Sequence, residues 1–462
     1  MSRSKLFSKN SKRTGNRSHG CRCSCICLPA AESNRYFHLL ERHPYLCSLF
    51  VCLLLHALYF GGEAYLAQNA VLLETLALLA AGAAVLWRLV RYQPQKKPAA
   101  VCVSVVYTLL VLAGAWCYHE ARHSGLWVLV GGCAVLSGLF WLTRKQYHNQ
   151  RRRVSLLLLG TSFLLKFFYV CYTPITRRQH DVGKFGDADN HAGYITYLLQ
   201  HYRLPDFDPR GHWQFYHPPL HHMISALWLW LSEHVFGISN AAAQESLQTL
   251  SLFYAMAIVI TAYRILRHFR LEGMALYVPL AVVAFHPSFI LFSGSINNDA
   301  LSVVFILGAV LWTLKWYEKQ TWEGIVKIAL CIGLGMMTKL SAAMVAIPVA
   351  AVFLVVLARQ LRQRNWRILG QLGGFAVICF PLGLWYPVRN LVRFGVPLTY
   401  VQEMPENSVQ YLGEQSFLSR ILDFSPHQVA SVFEQWVQRT GGSYNEYNPL
   451  IALLLSLIHI SE

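Results

Sequence analysis

Charge is what this sequence has least of. Only 14% of the 462 residues are charged, and acids are outnumbered by bases, 23 to 40. Soluble domains carry about 25% charged residues. That deficit, with repeated apolar runs of about 18–20 residues, excludes an ordinary soluble fold and predicts an all-α polytopic membrane protein. Nucleic-acid-binding motifs are missing too, so the net charge of +17 reads as membrane topology and contact with anionic membrane lipids, with no nucleic acid as partner. No internal repeat is visible, which removes the inverted-repeat signature of many transporters. The two-residue cysteine spacing of zinc sites is lacking as well. Most of the twelve cysteines lie in apolar segments, where cysteine behaves as a small hydrophobe. The exception, "CRCSCIC" (Cys21, Cys23, Cys25, Cys27), alternates strictly and is left open between an unstructured tail, S-acylation and metal binding.

The apolar runs predict spans at 44–62, 67–87, 99–118, 125–143, 154–172, 247–265, 275–293, 299–316, 324–338, 341–358 and 368–386, about 11 in all. A last run begins at Pro449 and stops with "LLLSLIHISE", which reads as a truncated helix. The first run follows a basic tail and reads as a retained anchor. Residues 1–43 hold nine Lys/Arg against two Glu and are expected to be a disordered cytoplasmic tail. Four spans then form an N-terminal membrane extension (44–153). A membrane core with an external loop at 173–246 occupies 154–400, and 401–462 supplies another external loop and the broken-off helix.

Basic clusters orient these spans. With the tail in the cytoplasm, the first five spans place 173–216 outside. The segment "HPPLHHMISALWLWLSEHVFG" (217–237) is long enough to span. If it did, "RILRHFR" (264–270) and every later basic loop would fall on the wrong side. Laid along the outer interface, with Trp228 and Trp230 at the headgroups, it leaves every later loop obeying the rule. One consequence follows. The polar motifs "QHDVG" (179–183), "YHPPLHH" (216–222), "INNDAL" (296–301), "TKLS" (338–341) and "WYPVRN" (385–390) all come to one external rim.

These motifs, in this order, resemble the GT-C glycosyltransferases. The match is to the family-39 group of protein O-mannosyltransferases and bacterial aminoarabinose transferases that use polyprenyl-phosphate sugars. "HDVG" stands where that family carries an acidic motif in its first external loop, and "HPPLHH" resembles the His/Lys-Pro-Pro-Leu that closes the loop. "NNDAL" opening a span, "GMMTKL" ending one and "WYPVRNLVRFGVPL" after another match in order and spacing. The resemblance covers roughly 154–400. It implies a GT-C-like helical bundle that moves a sugar from a polyprenyl-phosphate donor to an acceptor hydroxyl, with inversion, and with no certain cofactor beyond that lipid-linked sugar. The acceptor, whether protein, lipid or glycan, stays open. Val182 follows Asp181 where the family has a second acid, which Asp187 or Asp189 would have to supply.

Each residue has a chemical and a structural reading. Asp181 is the candidate base that takes the acceptor proton as its oxygen attacks C1 of the donor; otherwise it is a loop or capping acid. Asp187 and Asp189 precede a helix start, so Asp189 or Asn190 is a candidate cap, and sugar or acceptor hydroxyls are the alternative. His191 lies close by; "DAD" beside it suggests a metal, but no metal site is assigned. Polyprenyl phosphate needs cations, and Lys339 and Arg389 are the candidates, with snorkelling as the plain alternative. Pro218 and Pro219 would start a helix and aim His217 at sugar or phosphate, with His221 on the same helical face. Asn298 and Asp299 would cap the 299–316 helix or line the donor pocket. The expected enzyme is a multi-pass glycosyltransferase with a cytoplasmic N-terminus, in the plasma membrane of a bacterium or the ER membrane of a eukaryote. Two alternatives stand beside it: a transporter or lipid flippase, for which Lys166 is the clearest mid-span charge, and an inactive GT-C-like scaffold.

Overall fold

The computed structural model describes residues 42–60, 150–172, 175, 182–398 and 400. Every regular element among them is a helix. We number these α1 (Pro44–Phe60), α2 (Gln150–Tyr172), α3 (Asn190–His201), α4 (Leu220–His234), α5 (Asn240–Ser246), α6 (Gln248–His268), α7 (Met274–Phe285), α8 (Pro287–Leu291), α9 (Asp299–Glu318), α10 (Trp322–Thr338), α11 (Ala346–Arg362) and α12 (Arg367–Phe394). Short 3-10 turns occupy Pro209–Gly211 and Leu340–Val345. Five segments are long and apolar enough to cross a membrane: Arg153–Val170, Asn240–His268, Asp299–Glu318, Leu340–Arg362 and Arg367–Phe394. The spans expected at 67–87, 99–118 and 125–143, the run from Pro449 and the "CRCSCIC" motif lie outside the described residues. So do the basic tail up to residue 41 and the external loop from residue 401. The described residues from 48 onward form one compact unit; of the preceding unit only residues 42–47 are described.

Helix α10 sits between α9 and α12 and packs along both. Their shared core includes Ala309, Ile325, Ile328, Ile332 and Cys379. Between apolar helices in lipid, close packing replaces the hydrophobic drive, so small residues mark the seams. Gly333 is such a point: a Cβ there would lie 2.8 Å from Leu382 Cβ. Buried Trp316 donates its indole N–H to Gln371 at 2.8 Å, and Gln371 donates in turn to the Gln320 carbonyl at 3.1 Å. The polar atoms of this seam are thereby partnered within the bundle.

Two elements depart from their expected bounds. The span expected at 275–293 is broken at His286, whose extended backbone separates α7 from α8. Pro287 disfavours helix at the residue before it, and the freed Ser288 N–H is capped by the His286 ring at 3.3 Å. The last expected span, 368–386, runs on to Phe394 through Pro381 and Pro387. Neighbouring helices tolerate proline where an isolated helix would stop.

Chain reversal places the ends. α9 runs away from Asp299, α10 returns to Thr338, and α12 returns again after α11. Asn298 Nδ2 donates to the Thr338 carbonyl at 3.1 Å, and Tyr386 Oη donates to the Phe215 carbonyl at 2.9 Å. The starts of α9 and α4, the end of α10 and the last turns of α12 therefore meet at one end of the bundle.

Candidate functional site

The site begins where the loop before α3 is tied down. The Val182 carbonyl accepts from Ala192 N–H at 2.8 Å, and Asn190 N–H donates to the Trp213 carbonyl at 2.9 Å. Asp189 takes the N-cap position expected of it, but its carboxylate makes no cap bond. It accepts instead from Trp213 N–H at 3.0 Å and lies 3.3 Å from His212 Nδ1. The acid clasps one loop to another. Gly193 is required here, since a Cβ would lie 2.6 Å from the Asp187 carbonyl oxygen. Asp187 itself is exposed. Asp181, with Arg177 and Arg178, lies outside the described residues; its chain neighbour Val182 is fully buried.

Beneath this loop three histidines, His217, His221 and His222, gather around a fourth, His191. Its ring centroid is 5.1 Å from that of His222, 5.9 Å from His217 and 6.4 Å from His221. His191 Nδ1 and His222 Nε2 are 2.9 Å apart and hydrogen-bonded. His191, His221 and His222 are buried. Burial, reinforced by the charges of His191 and His221, holds His222 well below the usual imidazole range, and burial alone takes His221 down to about 3. His217 is lowered by burial first, then by Lys339 and His222. Burial thus favours the neutral form of His217, His221 and His222. His217 and His221 were expected to share a helical face, but Pro219 is the N-cap of α4, so His217 lies ahead of the helix and reaches the cluster through His191. Among the described residues no group of three His, Cys, Asp or Glu converges as a metal site. Two of the ring nitrogens are spent on each other.

On one flank Lys339 and Asp299 form an ion pair, both carboxylate and ammonium only partly exposed. Lys339 follows the last residue of α10, and Asp299 opens α9. Asn298 is the N-cap residue but makes no cap bond. Its amide holds Thr338 instead, while Asn297 Oδ1 accepts from Asp299 N–H at 3.2 Å. These contacts fix the two chain ends that carry the charges.

On the other flank Tyr194 stacks on His222, centroids 4.3 Å apart, and its hydroxyl lies 3.2 Å from that of Tyr386. Burial raises the Tyr194 phenol well above its ordinary range, with Tyr386 adding to it. Arg389 lies beyond Tyr386. It donates to Asn390 Oδ1 at 2.9 Å and to the Pro205 carbonyl, and rests over the Tyr386 and Phe394 rings. The structure thus gathers His191, His217, Asn298, Asp299 and Lys339, places Arg389 on the far side of the tyrosine pair, and leaves Asp187 and Asp189 in the outer loop. His222, Tyr194 and Tyr386 were missed as site residues. The signal for Tyr194 was its i+3 spacing from His191, which puts both on one face of α3.

Neither curated proteins nor solved structures gave a match to the chain. Residues 217–385 match the profile of the dolichyl-phosphate-mannose-protein mannosyltransferase family. That segment runs from His217 through Asn298, Asp299 and Lys339 to the turn before Tyr386. Over that segment the chain is similar to a GT-C-like, mannosyltransferase-type glycosyltransferase family, and its described residues are helical, with five segments long and apolar enough to cross a membrane.

Proposed function

We propose that this protein transfers a hexose, mannose in the first instance, from a polyprenyl-phosphate carrier to an acceptor hydroxyl at the outer or lumenal membrane face, with inversion at C1. The observation that carries the reading is the position of Lys339. It is a partly exposed cation at a helix end, paired with Asp299 and bearing electrostatically on His217, inside the matched segment. As the bond from C1 to the carrier oxygen breaks, the leaving phosphate gains charge. An ammonium with donors to spare stabilises that charge where it develops. Neutral His217 can donate one further hydrogen bond. Asp299 and Asn298 hold Lys339 in place from the start of α9.

The attacking hydroxyl must lose a proton, and Asp181 is assigned as the base. Asp187 and Asp189 shape the loop that presents it. Arg389 adds positive potential and braces the segment around Pro205. Lys166 bears on the transport alternative. It is fully buried, donates to Ser162 Oγ and to the Ala284 carbonyl, both at 2.7 Å, and so caps the broken end of α7. A charge closed into a helix junction is not lining a pathway, which favours the enzyme.

The test uses membranes containing the protein and radiolabelled dolichyl-phosphate mannose, with label followed into peptide, lipid and glycan acceptors. Asp181→Asn is expected to lower transfer by about 10²–10⁴-fold at unchanged expression. Wild-type turnover by that variant removes Asp181 from the mechanism, and no transfer by the wild type from any polyprenyl-phosphate sugar removes the reading.

A further inference from the structure

His217 is fixed from both sides. After it, Pro218 and Pro219 restrict the backbone. Before it, the loop turns sharply. The Gln214 carbonyl accepts from His217 N–H at 3.2 Å, and Gln214 holds φ at 69°. Left-handed backbone is uncommon for a residue with a side chain and persists only where its surroundings enforce it. Part of that enforcement comes from α12. Tyr386 Oη donates to the Phe215 carbonyl at 2.9 Å, inside the same turn. A phenol has one proton, and Tyr386 has spent it there. Tyr194 must therefore donate to the Tyr386 oxygen across their 3.2 Å contact. Both phenols are buried, where water does not compete for these bonds.

Stacked rings supply a second link. Phe215 stacks on Tyr194 with centroids 4.5 Å apart, and Tyr194 on His222 at 4.3 Å. His222 stacks on His191 at 5.1 Å, and His191 on His217 at 5.9 Å. No pair is tilted by more than 27°. The series leaves the loop at Phe215 and returns to it at His217, two residues on. Phe215, Tyr194, His222 and His191 are buried, and His217 is partly exposed. It is thus the one ring of the series that a substrate can reach, and the Lys339 charge bears on it.

Resting on the transfer reading above, we propose that Tyr386 and Tyr194 are positioning residues, which hold His217 at the carrier phosphate through the Phe215 carbonyl and the stacked rings. Neither phenol touches substrate. Their hydroxyls set the turn, and the turn and the stack set the imidazole. The imidazole then meets the phosphate beside Lys339. Displacing such a group by about 1 Å can cost about 10²-fold in rate.

A double-mutant cycle in membranes containing the full chain tests this role, with dolichyl-phosphate mannose as donor and kcat and KM measured separately. Tyr386→Phe removes one hydroxyl and keeps the ring. It is expected to lower kcat by about 10–10²-fold with little change in KM, because placement matters most as the phosphate gains charge. His217→Ala should lower kcat at least as far. On the His217→Ala background, Tyr386→Phe should cost less than about twofold more, since nothing is left to position. Tyr194→Phe keeps the Tyr386–Phe215 bond, so its loss should be smaller and should also vanish on that background. Additive losses overturn the proposal, because a purely structural tyrosine would weaken both backgrounds alike. So does unchanged kcat in Tyr386→Phe. Should Tyr386→Phe fail to fold, the same cycle with Tyr194→Phe decides, and unchanged kcat or additive losses there overturn the role. A wild type that transfers from no polyprenyl-phosphate sugar removes the transfer reading and this role with it. Wild-type transfer with an additive cycle removes this role alone.

Discussion

The Lys339–Asp299 pair separates two roles that a charge can play. Both side chains are about a quarter exposed, so the pair contributes about 1 kcal/mol or less to stability. A cation held against a developing phosphate charge contributes far more to the rate, about 2.7–4 kcal/mol for comparable preorganised donors. Lys339→Met is therefore expected to lower kcat/KM for the lipid-linked sugar by about 10²–10³-fold while the melting temperature moves only a few degrees. Asp299→Asn keeps the shape and frees the ammonium, so its loss should be smaller and concentrated in KM. Steady-state kinetics and thermal unfolding on the same preparations check this. Equal losses of activity and stability in both variants would make the pair structural. Lys339 was legible as a candidate because an ionisable group at the end of an apolar run is costly without a use, and Asp299 because it opens the next apolar run as a cap or pocket residue. Their pairing was not, since it joins residues forty positions apart through a helical hairpin. His222 and Tyr194 were hidden for the same reason. Their contacts depend on α3 lying against α4 and on a tyrosine nearly two hundred residues further along.

At the scale of elements, α4 decides the topology. Its 15 residues rise about 22 Å, short of the roughly 30 Å hydrocarbon core. Its faces are also reversed from those of a soluble helix. His221, His222, Ser225 and Ser232 are buried, while Met223, Leu227 and Trp230 face outward. An open apolar groove of about 420 Å³ runs between α3 and α4, lined in part by Leu198, Tyr202, Met223, Leu227 and Trp230. Polar residues turned inward and apolar ones turned outward suit a helix lying in the lipid interface. With native thiols blocked, Asn240→Cys should label with a membrane-impermeant maleimide from the face that carries the candidate site. Labelling from the opposite face would mean that α4 spans and that every later loop is inverted. The conflict between span length and positive-inside charge had already separated these alternatives in the sequence. The break at His286 could also have been read there, from Pro287 alone. The continuation of α12 through Pro387 could not, because it depends on the helices packed around it.

For the whole molecule, the histidine cluster ties the fold to pH. Unfolding would return His221 from about 3 to its ordinary value near 6.5. Between those values the unfolded chain binds the proton and the folded one does not. Stability is therefore full above about pH 6.5 and falls as the solution is acidified through that window. His221 alone should cost roughly 2 kcal/mol between pH 7 and pH 5, and His217 and His222 shift in the same direction. The effect reaches the whole bundle because the cluster sits where α3 and α4 meet, and His221 also faces Tyr254 of α6, centroids 6.4 Å apart. His221→Phe fills nearly the same volume and removes two buried ring nitrogens that have no hydrogen-bond partner among the described residues. It should leave stability at pH 7 unchanged or raised and flatten the fall towards pH 5. Melting temperatures of wild type and variant in one detergent, taken in half-unit pH steps, measure this. If the two curves fall in parallel, the acid sensitivity lies elsewhere. If neither falls, His191, His217, His221 and His222 are more open to solvent than the packing of α3 on α4 implies.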